Sequence, residues 1–225
     1  MKLIECFVSA ALAIAASAGP INLDHIQDVD AVLDSRATGT TANDYVNGGC
    51  KEVILFYARG STQPGNMGDQ PGPQTADGLI AALGTSKIAI QGVDYGADLL
   101  SNLLPGGCNP TEAKSFATLL TGAATKCPSS KFVVSGYSQG AALVHAAVEQ
   151  LAATARARIY AAVTYGDTQK KQDGGKIPNF DASKTLILCN NGDLVCEGSL
   201  IITSAHLDYT PSVPTGVSFI VSKLG

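Results

Sequence analysis

The sequence predicts an α/β fold in which a five-stranded, mostly parallel sheet carries helices on both faces. Five short runs rich in apolar and β-branched residues have the length and the flanking turns of buried strands. Helix-forming stretches lie between them, and strands that alternate with helices favour a parallel sheet with both faces covered. The 225 residues are 45% hydrophobic and 15% charged, which suffices for one domain with a substantial core.

The elements follow one another along the chain with recognisable boundaries. Predicted strands occupy residues 52–58, 87–93, 132–134, 159–165 and 185–189. Predicted helices occupy residues 75–83, 110–124, 141–153 and 216–224. Gly84 ends the first helix and Pro110 opens the second. This set of elements leaves no room for a separate lid domain.

The N-terminus has the pattern of a secretory signal peptide over residues 1–18. Lys2 gives a positive start, an apolar run covers residues 7–16, and Ala16-Ser-Ala18 is a cleavage motif. The apolar run is too short to span a bilayer. We therefore expect secretion, an arm or pro-segment over residues 19–41, and one α/β domain over residues 42–225. The net charge of −4, without a basic run, argues against nucleic acid as a partner.

Residues 136–140, Gly-Tyr-Ser-Gln-Gly, match the pattern G-x-S-x-G between the third predicted strand and the third predicted helix. A strand, a sharp turn, a serine and a helix in this order are typical of a nucleophile elbow. Glycine at both ends lets the neighbouring backbones approach without Cβ clashes. Ser138 is therefore the candidate nucleophile. The unpaired N–H groups of the following helix lie where an oxyanion would form.

The three histidines allow the base to be chosen by elimination. His25 lies in the N-terminal arm. His145 follows Ser138 on the same helix, about 10 Å along its axis, where a structural role is favoured. His206 lies in a loop after the last predicted strand, where an α/β-hydrolase carries its base. His206 is therefore the candidate general base.

Two aspartates that follow strands compete as the acid. Asp193 comes after the strand that precedes His206, which matches the order serine, acid, histidine. Cys189 and Cys196 flank its loop and would hold it rigid. Asp167 is interpreted as a strand-end or cap residue.

These residues have defined expected roles in ester hydrolysis. Ser138 attacks the carbonyl carbon, His206 takes the proton, and Asp193 orients the imidazole. Gln139, the residue after the nucleophile, supplies one backbone donor to the oxyanion. Ser61, on the loop after the first strand, is the second candidate donor.

Secretion makes the cysteines candidates for disulfides. Cys189 and Cys196 bracket a loop short enough to be closed by a bond. Cys50 and Cys127 each precede a strand, and a bond between them would contribute about 4 kcal/mol in the chain-entropy treatment. Cys108 is left over and is interpreted as a half-buried free thiol.

Together these residues resemble the cutinase family, small secreted serine esterases of fungi. The resemblance covers the chain from about Cys50 to the C-terminus, and the cysteine-bracketed acid motif is highly specific. The resembling segments are residues 57–62, 90–93, 126–128, 136–142, 176–179, 189–201 and 206–209.

The resemblance implies the site residues and the covalent framework. It implies a triad of Ser138, Asp193 and His206, with Ser61 and Gln139 as the oxyanion hole. It also implies the disulfides Cys50–Cys127 and Cys189–Cys196, support of the oxyanion serine by Asn102, and apolar rims at Leu103, Leu200 and Ile202. It implies neither a metal nor an organic cofactor, and we expect a monomer without stable membrane insertion.

The chain departs from the family pattern at Cys108 and in residues 93–96 with the leucine-rich loop after them. These departures bear on acyl preference and groove shape. An uncovered serine between apolar loops suits an ester carried on a bulky polymer, so we expect hydrolysis of cutin and short-chain esters. The alternatives are an acetylxylan esterase of the same fold, with a narrow pocket, and a plant-surface-binding or immunity-eliciting protein whose esterase activity is incidental.

Overall fold

The computed structural model describes residues 37–225, and the predicted signal peptide lies outside them. Five strands form one sheet in the order β2-β1-β3-β4-β5, and every pair is parallel. The strands are β1 (Val53–Ala58), β2 (Ile88–Gly92), β3 (Lys131–Tyr137), β4 (Ile159–Tyr165) and β5 (Thr185–Leu188). The predicted fold class is confirmed. The one strand predicted clearly too short is β3. The sequence places its end before Gly136, which is typical of a turn, but in the structure Gly136 pairs with Ala58 of β1.

Helices cover both faces of the sheet. The α-helices of residues 37–225 are α1 (Asp44–Gly48), α2 (Gly72–Leu83), α3 (Pro110–Lys126), α4 (Gln139–Glu149), α5 (Ala153–Arg156) and α6 (Val213–Leu224). Successive strand residues point to opposite faces. Phe56 therefore lies in the core under α3 and α4, whereas Tyr57 lies in the core under α2 and α6.

Helix boundaries differ from the prediction where tertiary contacts decide them. The predicted helix 141–153 is two helices, because the chain turns after Glu149 and buries Leu151 in the core under α3 and α4. The last helix begins at Val213, with a proline in its first turn, where proline needs no backbone donor. Helix α1 was not predicted, since five residues are too few for a periodic pattern.

The end of the predicted arm is bonded to the domain. Thr38 N donates to Asp77 Oδ1 at 2.7 Å. The carbonyl oxygen of Thr40 accepts from Asn66 N at 3.0 Å and from Met67 N at 2.9 Å. Within residues 37–225, no helix combines the length and the apolar character that crossing a membrane requires.

Candidate active site

Ser138 occupies a strained turn between β3 and α4. Its φ is 56° and its ψ is −120°, a backbone conformation that a residue with a Cβ rarely adopts. The flanking glycines make this turn possible. A Cβ on Gly136 would lie 2.3 Å from the Gly140 carbonyl oxygen, and one on Gly140 would lie 2.1 Å from the Ala58 carbonyl oxygen. The turn lifts the serine hydroxyl above the carboxyl ends of the strands.

The structure brings Ser138, His206 and Asp193 into one hydrogen-bonded chain. Ser138 Oγ lies 2.9 Å from His206 Nε2, and His206 Nδ1 lies 2.8 Å from Asp193 Oδ2. Asp193 Oδ1 accepts from Val195 N at 2.9 Å, which fixes the carboxylate in its loop. All three of these residues are buried. This arrangement can move the serine proton to an imidazole that a carboxylate orients.

Two tyrosines fix the histidine and the aspartate. The Tyr209 hydroxyl donates to Asp193 Oδ2 at 2.6 Å and accepts from Asn190 N at 2.9 Å. Burial, and then the neighbouring Asp193 carboxylate, raises the pKa of Tyr209, so the phenol stays protonated as a donor. The Tyr137 ring stacks on His206 at 5.3 Å between centroids, and its hydroxyl donates to the His206 carbonyl oxygen at 2.6 Å.

Sequence reasoning assigned no role to either tyrosine. Both lie beside predicted site residues: Tyr137 immediately precedes Ser138, and Tyr209 follows His206 by three positions. That proximity was the available signal. Their contacts depend on how the end of β3 and the chain between β5 and α6 meet in the folded protein, and the order of residues in the sequence does not show this.

Ser61 and Asn102 line the same cavity as Ser138. The N–H groups of Gln139 and Ser61 donate to no backbone acceptor within residues 37–225. Asn102 Nδ2 donates to Ser61 Oγ at 2.9 Å and to the Leu99 carbonyl oxygen at 3.1 Å. Since Ser61 Oγ already accepts from Asn102, its own proton is free to point toward a substrate oxygen.

The loop that carries Ser61 is tied to the loop that carries Asn102. Arg59 donates to the Gln63 and Tyr95 carbonyl oxygens, both at 2.8 Å, and its guanidinium lies 5.0 Å from the centroid of the Tyr95 ring. The Gln139 side chain donates to the Asp98 carbonyl oxygen at 2.7 Å. These contacts hold Ser61 and Gln139, the predicted oxyanion donors, in fixed positions, and fixed donors are what stabilisation of an oxyanion requires.

The serine opens into a cavity of about 350 Å³ with an exposed apolar rim. The rim includes the predicted Leu200 and Ile202, joined by Leu99 and Leu207. Leu99 is 64% exposed and Leu207 57% exposed, so no described segment covers the entrance. The predicted Leu103 is also exposed but lines an adjoining cavity instead.

The family model described as Cutinase matches residues 49–224. The chain belongs to the cutinase family. Cutinase CUT2 of Pyricularia oryzae is 56% identical over 225 residues, which are 100% of this chain and 100% of the relative. The chain is accordingly an ester hydrolase of this family.

Solved structures place the fold among cutinases. A Trichoderma reesei cutinase in complex with a C11Y4 phosphonate inhibitor has a TM-score of 0.75 and 34% identity, covering 90% of this chain and 87% of that chain. An acetyl xylan esterase solved at 0.90 Å has a TM-score of 0.59 and 20% identity, covering 78% of this chain and 100% of that one. The second likeness concerns the fold alone.

Two disulfides are formed within residues 37–225 of this cutinase-family chain. Cys50 is bonded to Cys127, across 77 positions of sequence, and Cys189 is bonded to Cys196, across seven. The second bond closes the loop that carries Asp193. Cys108 is free and 2% exposed, more buried than the half-buried thiol that the sequence suggested. Burial, with a smaller contribution from Glu112, raises the pKa of this thiol to about 11.

His145 forms a buried charged cluster beneath the elbow. Its Nε2 lies 2.9 Å from Asp167 Oδ2, and its Nδ1 lies 2.7 Å from Asp173 Oδ2. Asp167 also accepts from Thr164 Oγ1 at 2.6 Å and from Gln169 N at 2.8 Å. The expected structural role of His145 agrees with these contacts. The strand-end interpretation of Asp167 missed its partner, because the two residues are 22 positions apart.

Proposed function

We propose that this chain is a secreted serine esterase that cleaves cutin and short-chain fatty acyl esters through an acyl-enzyme. The observation that carries the proposal is the chain of hydrogen bonds from Ser138 through His206 to Asp193, opening into an uncovered apolar pocket. Membership of the cutinase family supports the reaction class.

In the first half-reaction, Ser138 Oγ attacks the ester carbonyl carbon as His206 Nε2 takes its proton. The carbonyl oxygen becomes an oxyanion. It accepts hydrogen bonds from the N–H groups of Gln139 and Ser61 and from the Ser61 hydroxyl. The C–O bond to the alcohol then breaks, and the imidazolium gives its proton to the leaving oxygen. The acyl group remains bound to Ser138 Oγ.

In the second half-reaction, water attacks the acyl carbon and His206 again takes a proton. The same donors form hydrogen bonds to the second oxyanion. Collapse of this tetrahedral intermediate releases the acid, and the imidazolium returns its proton to Ser138 Oγ. Asp193 stabilises the imidazolium in both halves without accepting its proton. Tyr209 and Val195 N both donate to Asp193, which keeps that carboxylate a fixed acceptor.

The shape of the site supports a polymer-bound or long acyl ester as substrate. Leu99, Leu200 and Ile202 are exposed around the serine, so a chain that continues beyond the scissile ester meets no obstruction from residues 37–225. A cavity of about 350 Å³ is within the range of sites for drug-sized ligands. An acetyl group would fill only a small part of it, which argues against acetylxylan esterase as the main activity.

We propose that the enzyme acts outside the cell as a monomer, without metal or organic cofactor, nucleic acid or membrane insertion. The signal-peptide pattern of residues 1–18 supports secretion. Two disulfides are consistent with an oxidising compartment. The triad and oxyanion donors all come from one chain, so the proposed chemistry needs no partner subunit.

A paired assay on cutin and acetylated xylan tests the proposal, with Ser138→Ala as the matched control. Release of hydroxy fatty acids by the wild type alone is the expected result. Acetate release without hydroxy fatty acids would move the assignment to acetylxylan esterase. Neither product, together with adsorption to plant surfaces or immune elicitation by both proteins, would favour the surface-binding alternative.

A further inference from the structure

A second cavity adjoins the catalytic pocket and is unused by the mechanism above. Its volume is about 330 Å³, and Asn102, Thr168 and Leu200 line both cavities. We call this second space the side cavity. A substrate chain that leaves the catalytic pocket past these three shared residues enters it.

Neutral polar side chains are among the residues that line the side cavity. They belong to Gln169, Gln172 and Ser199, and residues 37–225 contribute no lysine, arginine, aspartate or glutamate to the lining. Leu103 and Leu104 also line the side cavity, and both are exposed. The lining therefore suits an uncharged ligand that has an aliphatic part and a polar part.

Gln169 is the most constrained of these polar groups. Its side chain is 8% exposed, and its Nε2 donates to the Thr168 carbonyl oxygen at 3.3 Å. A Cβ on Gly107 would lie 2.4 Å from that Nε2, so glycine at this position makes room for the amide. Within residues 37–225 no donor is bonded to Gln169 Oε1, so this acceptor is available to a ligand in the side cavity.

We propose that the side cavity binds a hydroxyl group carried on the aliphatic chain of the substrate. The hydroxyl proton is donated to Gln169 Oε1, and the Gln172 amide or the Ser199 hydroxyl can donate to the hydroxyl oxygen. Such a site selects hydroxylated aliphatic esters over unsubstituted ones. The proposal rests on the esterase function proposed above and names the substrate class within it.

The lining favours a hydroxylated aliphatic chain over two other polar ligands. A carboxylate or phosphate would find no cationic side chain among the lining residues that the described part of the chain supplies, so its lost water would not be replaced by an ion pair. A polysaccharide chain presents polar groups on every ring. Bound in the side cavity, it would place those polar groups against the apolar side chains of Leu103, Leu104 and Leu200. One hydroxyl on a hydrocarbon chain satisfies Gln169 and covers the leucines together.

The test compares esters that differ by one hydroxyl. On the acyl side, ethyl ω-hydroxydecanoate is compared with ethyl decanoate; on the alcohol side, ω-hydroxydecyl butyrate is compared with decyl butyrate. In each pair the ratio of kcat/KM is measured for the wild type and for Gln169→Leu. We expect the ratio for one pair to fall by about three- to tenfold, the effect of one neutral hydrogen bond. The pair that responds identifies which side of the ester enters the side cavity.

Gln150→Leu is the matched control, because Gln150 is exposed and lines a different cavity. Its ratios should equal those of the wild type. If Gln169→Leu does not fold, Gln172→Leu changes an exposed residue of the same cavity lining and should lower the same ratio.

Unchanged ratios for both pairs in the folded variants would overturn the side-cavity proposal. That outcome leaves the esterase proposal standing as long as the wild type cleaves decyl butyrate. Conversely, the ratio could change in an enzyme that releases no hydroxy fatty acid from cutin. That result would contradict cutin as the substrate and leave the hydroxyl site supported. A preference of the wild type for acetylated xylan, insensitive to Gln169→Leu, would also contradict the site.

Discussion

Tyr209 Oη and His206 Nδ1 meet at one carboxylate oxygen, Asp193 Oδ2, at 2.6 and 2.8 Å. The Tyr209 phenol and the Val195 N–H therefore both fix the position of the Asp193 carboxylate by hydrogen bonds. This makes Tyr209 a positioning residue that acts on the histidine through the aspartate.

Replacing Tyr209 by phenylalanine should lower both stability and turnover. The change removes a hydrogen bond to a charged group, which is worth about 1.5–3 kcal/mol. We expect kcat to fall about tenfold, a small share of the factor that general base catalysis contributes. KM for a butyrate ester should stay the same, because Tyr209 does not line the pocket.

Tyr160→Phe is the control, since the Tyr160 hydroxyl makes no side-chain hydrogen bond within residues 37–225. Denaturant unfolding and initial-rate kinetics on both variants separate the two effects. A Tyr209→Phe protein that loses stability but keeps its full kcat would show that the hydrogen bond is structural only.

Ser61 and Asn102 should behave as one unit in a double-mutant cycle. Ser61→Ala removes a proposed oxyanion donor, the Ser61 hydroxyl, so we expect kcat to fall about 10²- to 10³-fold. Asn102→Ala should cost less, and the double variant should be no slower than Ser61→Ala, because Asn102 acts through the Ser61 hydroxyl. Asn47→Ala, at an exposed position, is the control. Multiplying effects in the double variant would mean that Asn102 acts independently of Ser61.

The charged cluster at His145 predicts a loss of stability at alkaline pH. Burial opposes the charge on the imidazole, but hydrogen bonds to Asp167 and Asp173 outweigh burial and raise the pKa of His145 to about 9. In the unfolded chain the ordinary value is about 6.5. The folded state holds the proton more tightly, so this stabilisation is complete below about pH 6.5 and is lost as the pH rises through about 9.

Unfolding in urea across this pH range measures the effect. Between about pH 6 and pH 10, the free energy of unfolding of the wild type should fall by about 3 kcal/mol more than that of His145→Gln. The variant already lacks the imidazolium, so its curve should be flatter. Parallel curves for the two proteins would contradict the assignment of a protonated His145.

Local pattern predicted the elements and the residues that lie at strand ends. The strand before Ser138, the glycines around it and the cysteines around Asp193 are all short-range signals. Other features are not short-range, because each joins segments that only the folded sheet brings together. These are the His145–Asp167 pair, the Tyr209–Asp193 hydrogen bond and the place of Gln169 in the side cavity. Helix α6 was predicted short for a different reason: its first turn contains a proline, which reads as a breaker until its position is known.

The two disulfides should have different consequences for activity. In the chain-entropy treatment, removing Cys50–Cys127 costs about 4 kcal/mol and removing Cys189–Cys196 about 2.5 kcal/mol. The first bond lies away from the site, so Cys50→Ser with Cys127→Ser should keep kcat in the folded fraction. The second holds the Asp193 loop, so Cys189→Ser with Cys196→Ser should lower kcat at a smaller cost in stability. Equal kcat in both double variants would mean that the loop keeps its geometry without the bond.

The most direct test of the account is to find the nucleophile. A phosphonate ester forms a covalent bond with an activated serine, so peptide mass spectrometry after inactivation identifies the residue that reacts. We expect one adduct, on Ser138, and no labelling of Ser138→Ala, whose kcat should be about 10⁴- to 10⁶-fold lower. An adduct on another serine, or esterase activity retained by Ser138→Ala, would contradict the proposed mechanism.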